Sequence, residues 1–424
     1  MRARPAPPVS LSAVPPGSLN GKEWPGDLLD VDLLTRSGWR SAPFRQFVLK
    51  IHSRCNLSCS YCYVYSMADT SWRTQPTIMS TQVVARSAER VAEHAERHRL
   101  PAVTIVLHGG EPLLAGPAFI AELASVFRST IRPETTVSFA LQTNGTLLNE
   151  EFLDVFARHD VRVGVSLDGG AQRDLRRYAH GGSSHADAVR GLDLLRSPAG
   201  RPLFAGILSV VDLERHPVDT YEELLAFEPP LLDLNLPHAH WSAPPPSRPG
   251  AAGPDSAAAT PYADWFIALF DRWFDADRHE TVIRLFDEII RLLLGGRSRT
   301  EAIGLTPSSV VVIETDGSLE QVDALKSAYD GAAATGLHID RDSFDDALAL
   351  PSIVARQIGS SALPDDCHVC PVLSICGGGF YPHRYRAGTG FRNRSVYCPD
   401  LIRLIDHVRM RVGAGLARAG ADRP

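Results

Sequence analysis

Along the first 240 residues, short apolar runs alternate with longer amphipathic ones. The apolar runs are Phe47–Ile51, Val103–Leu107, Val137–Leu141, Val161–Leu167, Phe204–Val211 and Leu231–Leu236, rich in Val, Ile, Leu and Phe. Runs of that length and composition predict strands covered on both faces. Between them, Thr81–Arg97 and Asn149–Arg158 carry apolar residues at helical spacing. Repeated strand–helix units predict an α/β fold, a parallel sheet with helices outside, in the form of a partial or open barrel. In such sheets, ligands collect at the C-terminal ends of the strands.

Past residue 240 the pattern changes. Pro244, Pro245, Pro246, Pro249, Pro254 and Pro261, among many alanines, mark 243–261 as a linker or mobile loop. A helical block follows, with Trp265, Leu269 and Trp273 four apart, then Ile283, Phe286, Ile290 and Leu293. Gly295 and Gly296 end it. Val310–Ile313, a turn at Asp316-Gly317 and Leu319–Val322 predict a hairpin, and a helix is expected near 400–417. At the other end, Pro5, Pro7, Pro8, Pro15 and Pro16 predict a disordered tail to about residue 22. Trp24, Leu28, Leu29, Leu33, Leu34 and Trp39 give 24–46 an apolar surface to pack. The expected division is an N-terminal extension over 1–44, a core barrel over 45–240, a proline-rich linker and helical bridge over 241–300, and a C-terminal domain over 301–424.

Composition mainly excludes. A chain of 424 residues has room for two or three domains. A net charge of −6 gives no general basic face for nucleic acid. The longest apolar stretches, such as Ile289–Leu294, are too short to span a bilayer, and the N-terminus lacks a signal-peptide apolar core. The expectation is a cytoplasmic, reducing setting, where clustered cysteines bind metal rather than pair.

The seven cysteines form two groups: Cys55-x3-Cys59-x2-Cys62 just after the first strand, and Cys367-x2-Cys370-x5-Cys376 closed by Cys398. A cubane iron–sulfur cluster takes four thiolates. A group of three leaves one iron open to a substrate or cofactor. The competing reading is zinc, with His52 or His108 completing the first site. Polar motifs end the next strands: His108-Gly109-Gly110-Glu111-Pro112, Gln142-Thr143-Asn144-Gly145 and Ser166-Leu167-Asp168-Gly169. Paired glycines let a ligand approach the backbone, and a carboxylate can accept bonds from an ammonium. His238 and His240, in Pro-His-Ala-His-Trp241, are a weak metal signal; substrate contact or packing is expected of them.

These motifs together resemble the radical S-adenosylmethionine (SAM) superfamily, Tyr61 before the third cysteine included. The resemblance implies a partial (β/α)6 radical SAM barrel with a C-terminal SPASM-like iron–sulfur domain. It implies that Cys55, Cys59 and Cys62 hold a [4Fe–4S] cluster. Tyr61, Gly109, Gly110, Glu111, Pro112, Asn144, Ser166 and Arg177 would bind SAM, with Ser166 and Arg177 at its carboxylate. One electron from the reduced cluster cleaves SAM to methionine and a 5′-deoxyadenosyl radical. The C-terminal cysteines resemble the SPASM domain of peptide- and protein-modifying members, with two departures: Phe380 and Val322 stand where that pattern has cysteine. The losses remove one auxiliary cluster and leave Cys367, Cys370, Cys376 and Cys398 for a single auxiliary [4Fe–4S] cluster. Asp323 matches an aspartate that acts as a base in sulfatase-type maturases; the plainer reading is a helix N-cap.

Longer segments are similar to the FxsB-type cyclophane-forming radical SAM/SPASM peptide maturases. They are Pro43–Lys50, Tyr63-Val-Tyr65 with Trp72, Leu236-Pro-His-Ala and the stretch from Glu314 to Ala328. This similarity implies a C–C crosslink between an aromatic side chain and the Cβ of a nearby residue in a ribosomal precursor peptide, with an external electron donor. Sulfatase-type oxidation and thioether formation stay open, as does a non-catalytic zinc-stabilised binding protein. Neither nucleic acid nor a membrane is an expected partner.

Overall fold

The computed structural model describes residues 23–170, 174–245 and 259–421. The expected disordered tail and most of the proline-rich linker lie outside the described residues.

Twelve strands are present among the described residues: β1 (Gln46–His52), β2 (Leu57–Cys59), β3 (Ala102–Gly109), β4 (Thr136–Thr143), β5 (Val161–Ser166), β6 (Arg176–Tyr178), β7 (Phe204–Val210), β8 (Leu231–Asn235), β9 (Val282–Ile283), β10 (Val310–Ile313), β11 (Ser318–Glu320) and β12 (Ala334–His338). Ten of them form one sheet in the order β12-β11-β10-β1-β3-β4-β5-β7-β8-β9. Strands β1, β3, β4, β5, β7 and β8 are the six expected from sequence, and they pair in parallel. The strand order is open, with β12 and β9 at its two margins, as a partial barrel requires. Phe47, Leu49, Val103, Ile105, Leu107, Phe139, Val163 and Val165 are almost wholly buried. On β3 and β4 the buried positions alternate with half-exposed ones, so one face of the sheet is sealed by helices and the other is only partly covered.

The helices are α1 (Val31–Arg36), α2 (Thr81–Arg97), α3 (Pro117–Thr130), α4 (Glu150–His159), α5 (His185–Arg196), α6 (Pro217–Leu225), α7 (Pro261–Phe274) and α8 (Arg284–Leu293), followed by shorter ones and a final helix, Cys398–Ala421. Three of the first eight helices, α1, α2 and α4, begin at a side-chain cap. The Ser80 side chain accepts from Val83 N to start α2. Asn149 does the same for Phe152 N, so it caps α4 rather than joining its first turn. The expected single helical block is two helices, α7 and α8, separated by a break that supplies β9.

The hairpin has a consequence that strand patterns did not announce. Strand β10 lies parallel to β1, with Gln46 beside Val310 and Leu49 beside Ile313. The C-terminal third of the chain therefore completes one margin of the barrel sheet. The strand expected over Leu319–Val322 is shorter, Ser318–Glu320, and the chain leaves it through Gln321 and Val322 into a short 3-10 turn at Asp323–Ser327. A second apolar cluster holds Trp24, Leu29 and Leu34 against Ala333, Val354, Tyr381 and Phe391, so the segment before β1 packs on the C-terminal part. No helix of the described residues is long and apolar enough to cross a membrane.

Candidate active site

The cysteine loop leaves β1 and is held from two sides. Strand β2, inside the loop, pairs antiparallel with β6, setting Cys59 opposite Arg176. The end of β3 clamps the loop's entrance: Gly110 N donates to His52 O at 2.8 Å and Glu111 N to Arg54 O at 3.0 Å. A Cβ on Gly109 would lie 2.2 Å from His52 O, and one on Gly110 would lie 2.4 Å from Arg54 O. These glycines are therefore required first by the approach of two strand ends, beyond any approach of a ligand.

Glu111 departs from the expected role in the same way. Its carboxylate is 1% exposed. It accepts from Thr143 Oγ1 at 2.6 Å, Asn144 N at 2.8 Å and Leu113 N at 3.0 Å. Burial raises its pKa, and those donors pull it back. Glu111 thus ties the end of β3 to the end of β4. It and Pro112 are not among the cavity's lining residues.

A cavity of about 760 Å³ opens above these strand ends. Cys55, Cys59, Cys62, Tyr61, Gly109, Gly110, Asn144 and Ser166 all line it, so the structure brings most of the expected site together. Asn144 Nδ2 donates to Asn56 Oδ1 at 2.8 Å and reaches Cys55 Sγ at 3.8 Å. Ser166 Oγ accepts from Gln142 Nε2 at 2.9 Å. Tyr61 donates to Asp168 and accepts from Arg176 Nη1, the latter at 2.7 Å.

Arg177 does not join them, which corrects the sequence assignment. Neighbouring side chains on a strand point to opposite faces. On β6, Arg176 takes the cavity face, while Arg177 is exposed and donates to Gly181 O at 3.2 Å. Burial would lower the pKa of Arg176, but Tyr61, Cys59 and Asp168 outweigh it and hold the charge. The motif fixed the segment, and only the pairing of β6 with β2 reveals which arginine faces in.

The thiols suit an iron–sulfur cluster. Burial pushes Cys55 up to about 12 and Cys59 to about 11, with the other loop cysteines adding to the rise. A cationic metal core supplies positive charge beyond that of Arg176, which pulls the Cys59 thiol down only in part. Tetrahedral zinc, with Zn–S near 2.3 Å, draws its sulfurs to within roughly 4 Å of one another. Among the described residues, the ligand sets within 4.8 Å of one another are His94, His98 and Asp345, and Glu314, Glu320 and Asp323; the loop cysteines are not such a set. His52 Nδ1, a candidate to complete zinc, instead accepts from Arg54 N at 3.2 Å. In the C-terminal group, burial raises Cys367 to about 11 and Cys376 to about 12, and both feel the charge of Cys398. Arg384 braces the turn beside them, donating to the carbonyls of Gly377, Gly378 and Gly379 at 2.9, 3.1 and 2.7 Å.

Asp323 is buried but not an N-cap; no side-chain capping bond forms there. Its Oδ2 accepts from Lys50 Nζ at 2.8 Å and lies 3.9 Å from His108 Nδ1. Burial alone would raise its pKa, but Lys50, Lys326 and His108 outweigh that and hold it at about 2. Lys326 Nζ occupies the centre of the carboxylate trio, 2.5 Å from Glu314, 2.8 Å from Glu320 and 3.9 Å from Asp323. The cation that those acids could share is therefore an ammonium. Burial, with Glu314 adding repulsion, raises Glu320 to about 8. His108 lines the cavity and is kept neutral, its pKa lowered to about 4 by burial first and by Lys50 next. Of the two C-terminal histidines, His240 is a packing residue, with Nε2 on Ser327 O at 3.1 Å and Nδ1 accepting from Ser242 N at 3.2 Å. His238 lines the cavity.

Residues 49–212 match the Radical SAM superfamily. The serine-type anaerobic sulfatase-maturating enzyme of Bacteroides thetaiotaomicron is 22% identical over 385 residues, 86% of this chain and 89% of that protein. The cysteine-type enzyme of Clostridium novyi is 28% identical over 366 residues, 82% of this chain and 90% of that protein. Among solved structures, native anSMEcpe with bound AdoMet and Cp18Cys peptide aligns with a TM-score of 0.71 at 21% identity, over 88% of this chain and 100% of that one. Streptococcus suis SuiB bound to precursor peptide SuiA aligns with a TM-score of 0.53 at 14% identity, over 87% of this chain and 78% of that one. The chain carries a radical SAM domain with homology to the sulfatase-maturating enzymes. It is an enzyme whose cofactors are SAM and [4Fe–4S] clusters, so the reading as a non-catalytic zinc protein is overturned.

Two outcomes follow from this geometry. Gly109→Ala drives a Cβ into His52 O, so the purified protein should lose the first cluster and keep the second, with iron per chain falling by roughly half; iron analysis and the cluster absorbance check this. Glu320 binds its proton more tightly when folded than unfolded. Its contribution to stability therefore falls as pH rises from about 4, the unfolded value, through 8. Anaerobic denaturant titrations at pH 6 and 8 should show a loss that Glu320→Gln flattens.

Proposed function

We propose that this radical SAM enzyme modifies a side chain of a peptide or protein, forming a carbon–carbon crosslink between an aromatic ring and the Cβ of a nearby residue. The reading rests on the cavity. Its wall runs from the cysteine loop past His108 to Tyr63, His238, Phe380 and His383. Cluster ligands and a set of aromatic and imidazole side chains share that wall. A volume of about 760 Å³ has room for a cofactor together with part of a peptide.

When bound, the first cluster and SAM supply a hydrogen-abstracting radical, and the second cluster supplies a one-electron acceptor. Cys55, Cys59 and Cys62 hold the first, and Cys367, Cys370, Cys376 and Cys398 the second. Tyr61, Asn144, Ser166 and the glycine pair shape the SAM site, with Glu111 and Pro112 behind them. Arg176, in place of Arg177, offers the cation for the SAM carboxylate.

The crosslinked product is two hydrogens lighter: Cβ gives up a hydrogen atom, and the ring gives up a proton and an electron. His108 is placed to take the proton, since it faces the cavity and is neutral. Asp323, 3.9 Å behind it, stabilises the resulting imidazolium. Asp323 is thus the partner of the base, its own carboxylate being held by Lys50.

Sulfatase-type oxidation of a side chain is the second reading, favoured by the two sulfatase-maturating relatives, each matched over more than four-fifths of its length. Co-expression with a short peptide encoded beside the gene separates them. The crosslink predicts a loss of two hydrogens, mapped by fragmentation to an aromatic residue and one two positions away, and no reaction with a hydrazide. The control carries Cys55, Cys59 and Cys62 changed to Ala. A hydrazide-reactive aldehyde overturns the crosslink in favour of oxidation.

Asp323→Asn should lower crosslinking by about 100-fold while SAM cleavage continues. Arg176→Met should weaken SAM binding by roughly 10- to 100-fold, the worth of one charge-assisted bond, whereas Arg177→Met should change it little. Equilibrium binding of SAM to the cluster-loaded protein reads both.

A further inference from the structure

In the cavity wall, against Tyr63 at the end of the cysteine loop, two imidazoles are left with unspent hydrogen-bonding capacity. His238 Nδ1 and His383 Nε2 are buried without a partner among the described residues. His383 as a whole is 4% exposed. Leaving such an atom unpaired is costly, since it has given up water for nothing. His240, two positions from His238, has both nitrogens bonded, which is the pattern of a histidine that only packs. The two unsatisfied rings instead line the cavity, 6.3 Å apart between centroids. A half-turn about χ2 brings either nitrogen of a ring to its cavity side, because that torsion is broad and two-fold.

The surroundings narrow what fits against their cavity side. Tyr63 meets His238 edge-on, with centroids 4.8 Å apart, and Phe380 meets His383 edge-on at 5.3 Å. These walls suit another flat ring. A charged group would arrive without a counter-ion. Arg384, the cation near His383, is committed to the carbonyls of Gly377, Gly378 and Gly379. Asp323, whose charge reaches Tyr63, is committed to Lys50. Both imidazoles are neutral, their pKa values lowered by burial.

We propose that His238 and His383, walled by Tyr63 and Phe380, form a recess for a neutral aromatic side chain bearing a hydrogen-bonding group: a tyrosine, tryptophan or histidine of the substrate peptide. The inference rests on the reading of the protein as a peptide-modifying enzyme, and it names the residue class that the enzyme grips.

The test is calorimetric titration of the cluster-loaded protein, with SAM and no reductant. The probes are two acetylated five-residue peptide amides, alanine throughout except for a central tyrosine or phenylalanine. The tyrosine peptide should bind roughly 3- to 10-fold tighter, the worth of one neutral hydrogen bond. His238→Phe and His383→Phe should each shrink that preference. Equal affinities for the wild-type protein, or a preference that survives in both variants, overturn the recess. The wild-type comparison needs no variant to fold. Binding is read without turnover, so a failure of crosslinking leaves it interpretable. A protein that crosslinks but binds both peptides alike sinks the recess alone.

Discussion

A single buried carboxylate decides whether the site can exist. Glu111 leaves water almost completely, and a bare ion there would be very costly. Its donors are Thr143 Oγ1, Asn144 N and Leu113 N, two from the neighbouring strand end and one from its own turn. The cost of burying the charge is thereby converted into a demand for register. If the end of β4 slipped relative to β3, the carboxylate would be stranded. The glycines just before Glu111 extend the same constraint to the cysteine loop, since only a residue without Cβ lets β3 press against His52 and Arg54. Three strand ends are locked by one motif before any cofactor enters.

A second constraint joins the barrel to the C-terminal region. Lys50 on β1 meets Asp323, and Lys326 meets Glu314 and Glu320, all nearly inaccessible to solvent. Buried pairs of this kind contribute little net stability, since desolvation offsets attraction, but removing one member is severe. Their effect here is positional. They hold Asp323 behind His108 and fix the hairpin against β1, so residue 323 stands beside a cavity built mostly by residues 46–236.

Much of this was legible in the sequence. The six barrel strands announced themselves because short runs rich in Val, Ile, Leu and Phe stand out between amphipathic segments. The cysteine loop and strand-end motifs were legible because their chemistry requires particular residue types at fixed spacing. What the sequence hid depended on pairings distant in the chain. Arg176 and Arg177 are equivalent as letters, and only antiparallel pairing with Cys59 turns one inward. Glu111 read as a ligand because a carboxylate at a strand end has no visible partner until β4 is placed. The insertion of β10 beside β1 carried no local signal, since an apolar four-residue strand fits a separate hairpin equally well. His383 was passed over because a lone histidine in a cysteine-rich segment looks like many others; its unpaired nitrogen is visible only in three dimensions.

The pairing of β10 with β1 also sets an order of events during synthesis. Strand β1 is among the first parts of the barrel to leave the ribosome, yet one of its edges has no partner until Val310–Ile313 has been made. An open, apolar strand edge invites pairing with other chains. Through most of its translation, this chain carries that edge directly beside three reactive thiols. The step that seals the edge also delivers Asp323 to Lys50. The sheet therefore makes closure of this barrel margin and burial of the charge network late and nearly simultaneous.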